Sequence, residues 1–391
     1  MPDFTEPHMV APGTVHPGSQ GLSGLGPGNP GSQGLSPLAA RDPDCQSLSP
    51  LATSSGAATR LFSEEPCPWR TPFQRDQDRI IQSKAFRRLA HKTQVFIATS
   101  SDHFRSRLTH TLEVSHVART LARGLRLNED LAEAISLGHD LGHAPFGHAG
   151  EKLLNRYIPG GFSHQDQSVR VVTKLAKHGQ GLNLTKEVID GIGKHSKGRG
   201  PVFAADEGSP ITPEGQLVRA ADIIAYLAHD LDDALEANIL SPSDIPSSLK
   251  AVFGPKASNR VGVMVEDLLS NARIEDGGFV FAFSPRMDQA MGLLRTFLGK
   301  TVYSHPHLVN QLAFATSCVR YIFLALTDND ELYETLPLRH LASNRFQAVC
   351  DFISGMTDRY AMAYAQNLAQ GRPAEKIRDI EADELPMIVE F

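Results

Sequence analysis

The chain reads as all-α, with room for at most a small β-hairpin. Three observations carry that reading. From Pro72 onward, apolar residues recur at helical spacing. Start and stop signals frame those runs, such as Asn128 before Glu129 and Asp130, and Gly142 to Pro145 after His139-Asp140. Strand-like patterning is sparse, and Gly278 to Ala282 is its best example, needing a short neighbour to pair with.

Residues 1–58 are a different material. They are rich in Gly, Pro and Ser and repeat themselves: Gly18 to Ser23 recurs as Gly31 to Ser36, and Leu35 to Ala39 as Leu48 to Ala52. Such a segment buries too little apolar surface to offset its ordering entropy, which predicts a disordered extension, with an interaction tail as the alternative. The first 55 residues should then be dispensable for chemistry. Residues 59–240 are expected to form the core domain, and 241–391 a helical C-terminal region. Within the core, one helix is predicted over Arg75–His91. A second starts near Arg107 with Leu108, Leu112, Val117, Leu121 and Leu125 along its stripe. A third runs from Asn128, an N-cap with acids in the first turn, to His139-Asp140. Pro213 opens a long helix to about Ala237, and later helices are predicted over 259–271, 287–300, 307–326 and 338–369.

Composition narrows the class. The formal net charge of −6 argues against a bulk nucleic-acid binder, and nucleic acid enters only as a regulator. The four cysteines are scattered with no Cys-x-x-Cys pair, which excludes a thiolate zinc site and a disulfide framework. Cys318 and Cys350 fall in apolar-periodic runs and read as core residues. No run of membrane-spanning length and no signal-peptide pattern stand out, so a reducing cytoplasm is the expected compartment and no membrane partner is expected.

Eight of the sixteen histidines lie between residues 110 and 195. His139 and Asp140 are adjacent, about 100° apart on a helix, and both can reach one ion at that edge. His110 shares the helical phase of Val114, Val117 and Leu121, so its ring should point inward; alone it reads equally as a core histidine. Asp222 sits in a segment apolar on almost every side, where a carboxylate is costly without a cation; a salt bridge to Arg219 is the alternative partner. Together, His110, His139, Asp140 and Asp222 predict a site for one divalent ion. Manganese or magnesium is favoured, and iron, nickel, cobalt and zinc remain open. Asp222, Tyr226 and Asp230 fall at i, i+4 and i+8, a face suited to a sugar's hydroxyls; the competing reading of Asp230 is a solvated helix residue.

This ordered set resembles the HD-domain deoxynucleoside triphosphate triphosphohydrolases. The resemblance rests on Arg107-x-x-His110, the run from Gly138 to Glu151, the Asp222–Tyr226–Asp230 face, Arg75 to Arg79, Lys92 to Val95 and Asp351 to Tyr360, and it spans roughly residues 60 to 370. It implies hydrolysis of a dNTP to deoxynucleoside and inorganic triphosphate. It places His143 at the α-phosphate, His148 with Glu151 as acid/base pair, and Arg107 on phosphate. Gln94, Tyr226 and Asp230 are implied around the deoxyribose, with Tyr303 as a stacking candidate. His164 matches the family; Gln165 after it departs from the usual Glu or Asn, so no catalytic part is expected of it. Arg75, Arg79, Lys84, Arg87, Arg88, Lys92, Lys194 and Lys197 are the basic residues available to the triphosphate, with plain surface residues as the competing reading of many of them. The resemblance further implies a homo-oligomer, commonly a hexamer. The competing functions are another HD phosphohydrolase (a nucleotidase or phosphodiesterase) and a nucleotide-sensing or nucleic-acid-binding scaffold.

Overall fold

The computed structural model describes residues 48–97, 104–196, 202–203 and 208–371. It is helical throughout, apart from one two-stranded antiparallel sheet. The helices are α1 (Pro72–Ile81), α2 (Lys84–Arg88), α3 (Arg107–Gly124), α4 (Glu129–Gly138) and α5 (Gly147–Tyr157). Then follow α6 (His164–Arg170), α7 (Ala176–Gly179), α8 (Lys186–Lys194), the long α9 (Pro213–Glu236), α10 (Ser247–Phe253) and α11 (Ala257–Asn271). The hairpin β1 (Arg273–Glu275) and β2 (Gly278–Val280) pairs Ile274 with Phe279. It leads into α12 (Pro285–Thr301), α13 (Pro306–Asp328), α14 (Asp330–Glu334), α15 (Arg345–Ser354) and α16 (Asp358–Ala369).

The predicted start signals hold at both helices that define the core. The Asn128 side chain accepts from Leu131 N and caps α4, and Thr212 caps α9 ahead of Pro213. Two helices expected to be continuous are broken. The run 75–91 stops at Gln82 because Ser83 caps a new helix, and 338–369 becomes helical only from Arg345, capped by Asn344, and breaks again at Gly355 because Thr357 caps α16. On α3 the stripe lies as predicted for Val117 and Leu121, whereas Leu112 points outward and is half exposed.

Two apolar cores organise the chain. In the first, α3, α4, α8 and α9 pack together around Val114, Leu121, Leu131, Ile135, Ile192 and Ile224, and α11 and α12 join them. The second unites α5 with α13, α15 and α16 around Leu154, Val319, Ile322, Phe323, Ile353 and Tyr364. The cores therefore do not divide at residue 240. The first runs on to Leu308, and α5 from the central motif belongs to the second. Helix α13 is long and apolar enough to cross a membrane by length and composition, contrary to the sequence reading. Its inward face, with Val319, Ile322 and Leu326, fills the second core, while Phe314 and Tyr321 stay exposed.

The N-terminal boundary also moves. Residues 1–47 lie outside the described residues, but 48–58 run along the body. Ser49 N–H donates to Arg126 O, and Thr53 donates to the buried Glu214 from both its N–H (3.0 Å) and its hydroxyl (2.7 Å). Asn128 N–H completes the Glu214 set at 3.0 Å. Low hydrophobicity did not keep this stretch apart, because a buried carboxylate at the start of α9 needs those donors.

The candidate metal centre and its flanks

Four helix ends and one helix face bring the site together. His110 projects inward from the first turns of α3, and His139 and Asp140 follow the last turn of α4. His164 opens α6, His195 follows α8, and Asp222 lies mid-way along α9. All but Asp222 are nearly fully buried. A fully buried leucine or isoleucine here contributes about 1.5–3 kcal/mol, and an uncompensated buried charge cancels more than one of them.

Three of the four predicted ligands, His110, His139 and Asp140, offer ligand atoms within 4.8 Å of one another. Asp222 stands outside that triplet but its Oδ1 lies 3.1 Å from His110 Nε2. Arg219, the competing partner, donates instead to the carbonyls of Lys194 and Gly208. The His139 ring supports a cation most directly. Its Nδ1 lies 2.6 Å from the Ser136 carbonyl and must carry the proton, which leaves a lone pair on Nε2. That Nε2 is buried and has no hydrogen-bond partner among the described residues. Orphaned acceptors are rare in a folded interior, and a divalent ion resolves this one. Burial would raise the Asp140 carboxyl, yet His139, the Arg107 guanidinium (2.5 Å), His143 and His164 outweigh it and hold it well below the usual range. Burial likewise opposes ionisation of Asp222, and His110 overcomes it.

Between α4 and α5 the loop Leu141–Phe146 carries His143. It is tightly fixed. A Cβ at Gly142 would meet the Ser168 backbone N at 2.1 Å, so only glycine allows α6 this close. Phe146 holds φ 62, uncommon for an aromatic residue, and its N–H donates to Asp358 of α16. Asp358 also accepts from Thr93 N–H (2.7 Å) and its hydroxyl. Lys92 is buried and donates to the His143 carbonyl (2.5 Å) and the Ser354 carbonyl (2.7 Å); burial pulls its ammonium down to about 7. The second core thus clamps the loop of the first.

His143 Nε2 is buried and unpartnered among the described residues, and its ring stacks on His164 at 4.7 Å. Burial, then Arg107, push its pKa well below the usual histidine value. Glu151 joins two histidines: Oε2 lies 3.0 Å from Nδ1 of exposed His148 and Oε1 2.8 Å from His164 Nδ1. Burial works against its charge, but the bonds to His148 and His164 hold the carboxyl well below its ordinary value. Arg107 keeps Nε and Nη2 buried and without partners among the described residues. Gln165 donates to the Ser196 carbonyl, consistent with no catalytic part.

On the other flank, Asp230 is 3 % exposed, so it is not a solvated helix residue. The Tyr303 hydroxyl donates to it at 2.5 Å, while Tyr303 as a whole is 37% exposed. Tyr226 lies one turn before, raised to about 12 by burial, with the Arg295 guanidinium bonded to its hydroxyl. Gln94 Oε1 is buried with no partner among the described residues. Three residues here went unassigned in the sequence: His195, His229 and Arg295. His229 Nε2 lies 2.8 Å from His110 Nδ1, and its Nδ1 2.8 Å from Asp230 Oδ1, so it joins the ligand to the flank. Several of the basic residues expected near the triphosphate are engaged elsewhere. Arg75 and Arg79 pair with Glu64, Lys194 with Asp190, and Lys92 is buried; Lys197 lies outside the described residues.

A helical body with buried histidines and carboxylates converging at helix ends defines an HD-domain phosphohydrolase. Residues 107–231 match the HD domain, and residues 281–367 match the phosphohydrolase-associated domain. Among curated relatives, a deoxyguanosinetriphosphate triphosphohydrolase-like protein of Desulfatibacillum aliphaticivorans is 46% identical over 81% of this chain and 92% of its own length. One from Caldanaerobacter subterraneus is 49% identical over 78% and 86%, and one from Clostridium tetani 42% over 79% and 88%. The chain belongs to this family of dGTP triphosphohydrolase-like proteins. A solved structure, a hypothetical protein from Aquifex aeolicus, aligns with TM-score 0.41 at 21% identity over 70% of each chain, too distant to bear on function.

Proposed function

We propose that the protein hydrolyses deoxynucleoside triphosphates to deoxynucleoside and inorganic triphosphate. The observation that carries this is the single helix α9, which sets Asp222 at the metal centre and Tyr226 and Asp230 one and two turns further on. The names of the relatives agree with it. His110, His139, Asp140 and Asp222 would hold one divalent ion, manganese or magnesium by preference. Such an ion polarises a bound phosphate oxygen and makes water a stronger nucleophile.

The chain's own residues supply the rest. Arg107 turns its unpartnered donors to phosphate, which is geometry a guanidinium suits. His143 Nε2, kept neutral by burial and Arg107, accepts from water or a protonated phosphate oxygen. Glu151 holds His148 through Nδ1, so Nε2 delivers the proton that the departing 5′-oxygen needs. His164 braces Glu151 from the other side. Asp230 receives the sugar's 3′-hydroxyl, Gln94 Oε1 accepts a second sugar hydrogen bond, and Tyr226 crowds the 2′ position. The exposed face of Tyr303 is left for stacking.

The test is product analysis with Mn²⁺ and each dNTP, beside GTP. Inorganic triphosphate as product, with dGTP consumed much faster than GTP, is the expected result. Monophosphate or pyrophosphate as product would assign the protein to a different phosphohydrolase reaction.

A further inference from the structure

Lys92 is buried, and its ammonium bonds no acid among the described residues. Nζ donates to two neutral carbonyls, His143 (2.5 Å) in the loop after α4 and Ser354 (2.7 Å) at the end of α15. Asp358 of α16 is the acid that most favours the charge, but its oxygens are bonded to others. Oδ2 accepts from the Thr93 N–H and hydroxyl, and Oδ1 from the Phe146 N–H. An ammonium taken out of water and given only neutral partners is costly. A methionine of similar length would fill the same space without that cost. Stability alone therefore does not account for a lysine here, and the place its donors reach does.

The His143 ring has little of its own to hold it. Its Nδ1 lies 3.5 Å from the Ala144 carbonyl, at the edge of hydrogen-bond range, and its Nε2 has no partner among the described residues. Stacking on His164 at 4.7 Å sets the tilt of the ring, and the loop backbone sets its place. Lys92 acts on the other side too. Its own carbonyl accepts from the N–H of Arg107 (3.1 Å), the first residue of α3. One residue thus ties down both Arg107 and His143 and fastens them to the second core through Ser354.

We propose that Lys92 is a positioning residue for the phosphate flank: its ammonium pins the His143 carbonyl to the end of α15 and so aims the His143 ring at the substrate's phosphate. The inference rests on the proposed function for what His143 does there, and on geometry alone for the clamp. The rival role is purely structural. A loop carbonyl and a helix-end carbonyl both need donors, and Lys92 would serve only to satisfy them.

A mutant cycle separates the two roles. Full-length wild type, Lys92→Met, His143→Ala and the double variant are compared in single-turnover rate on dGTP with Mn²⁺. Lys92→Met should be slowed about a hundredfold, the cost of a misplaced group. In the His143→Ala background it should change nothing further, because the residue it acts through is gone. Equal slowing in both backgrounds, or none in either, would overturn the positioning role. Amide hydrogen exchange reads the clamp without turnover. Lys92→Met should speed exchange over Leu141–Phe146 and leave α4 and α9 as they were; a uniform increase would mean a structural role. Monophosphate as product would change the proposed reaction and leave this cycle readable on the ester that is cleaved. No cleavage at all by wild type would overturn both. If Lys92→Met fails to fold, wild type answers alone. Burial pulls the ammonium down to about 7, Arg88 and Arg107 act the same way, and Asp358 and Asp140 oppose them. As pH rises through that value the charge is lost and both bonds weaken. Exchange of the loop, corrected for the intrinsic effect of pH, should then rise ahead of α4 and α9. Loop protection that stays level with theirs would overturn the clamp.

Discussion

The two flanks of the centre differ in how far their buried polar groups are already bonded to one another. On the phosphate side, acceptors and donors are left bare: His139 Nε2, His143 Nε2 and two nitrogens of Arg107 have no partner among the described residues. On the flank proposed for the sugar, the groups bond in part to one another, while Gln94 Oε1, Asp230 Oδ1, His229 Nδ1 and Arg295 Nε have no hydrogen-bond partner among the described residues. Tyr303 donates to Asp230, Arg295 bonds to Tyr226, and His229 stands against both Asp230 and His110. Bare buried groups cost stability until a ligand arrives, so the phosphate side is built to gain a cation and an anion. On the other flank Asp230 keeps one oxygen bonded to Tyr303 and the other without a partner among the described residues, so a substrate hydroxyl there would join a bond already made. Large effects on turnover are therefore expected from the first flank and discrimination from the second.

The largest expected effect tests the phosphate side. His148 is exposed; it bonds to Glu151 and lies edge-on to the rings of His143 (5.1 Å) and His164 (6.0 Å), none of which is among the four residues proposed to hold the ion, so its removal is expected to leave that ion in place. His148→Ala should retain bound metal and dNTP affinity while kcat falls about 10²–10⁴-fold, the usual worth of a positioned acid. Single-turnover rates alongside metal analysis check this. Turnover near that of wild type would show that the leaving oxygen obtains its proton elsewhere.

A smaller effect is expected at the sugar side. Asp230→Ala removes the acceptor proposed for a 3′-hydroxyl and frees Tyr303. A hydrogen bond to a charged group contributes about 1.5–3 kcal/mol, so the preference for dNTP over its 3′-deoxy analogue should narrow roughly ten- to a hundredfold in kcat/KM. The comparison breaks if Asp230→Ala instead lowers kcat equally for both substrates. In that case the His110–His229–Asp230 chain would be serving the metal ligand rather than the sugar.

What the sequence disclosed follows the same division. The His139-Asp140 pair, His110 and the Asp222–Tyr226–Asp230 face were legible because each is a short-range pattern on one helix. His195 and Arg295 were not, because each stands alone on a helix that meets the others only in the folded core. His195 had a readable trace: like His139, it ends a helix and turns its Nδ1 to the carbonyl three residues back. His229-Asp230 repeats the His-Asp pairing but is obscured by its neighbouring acids. The helix breaks before Ser83 and Thr357 were hidden for a different reason. Apolar periodicity continued across both, although each residue is a strong N-cap.

Residues 48–58 give the last and smallest test, because they should move both flanks together. Helix α9 carries Asp222 on one side and Asp230 on the other, and its first turn is tied down by Glu214. Burial raises the Glu214 carboxyl, and the Thr53 hydroxyl and N–H with Asn128 N–H oppose that. A chain starting at Leu48 keeps every one of these donors and should match the full-length protein in melting temperature and turnover. A chain starting at Thr59 loses two of the three, leaving a buried carboxyl group short of partners. That costs about 1–3 kcal/mol. Thermal unfolding should show the loss, while the dNTP preference stays as it was, since among the described residues neither Asp222 nor Asp230 bonds to 48–58. An altered preference with unchanged stability would mean that this segment shapes the sugar side directly, and that α9 does not act as the rigid bar between the two flanks.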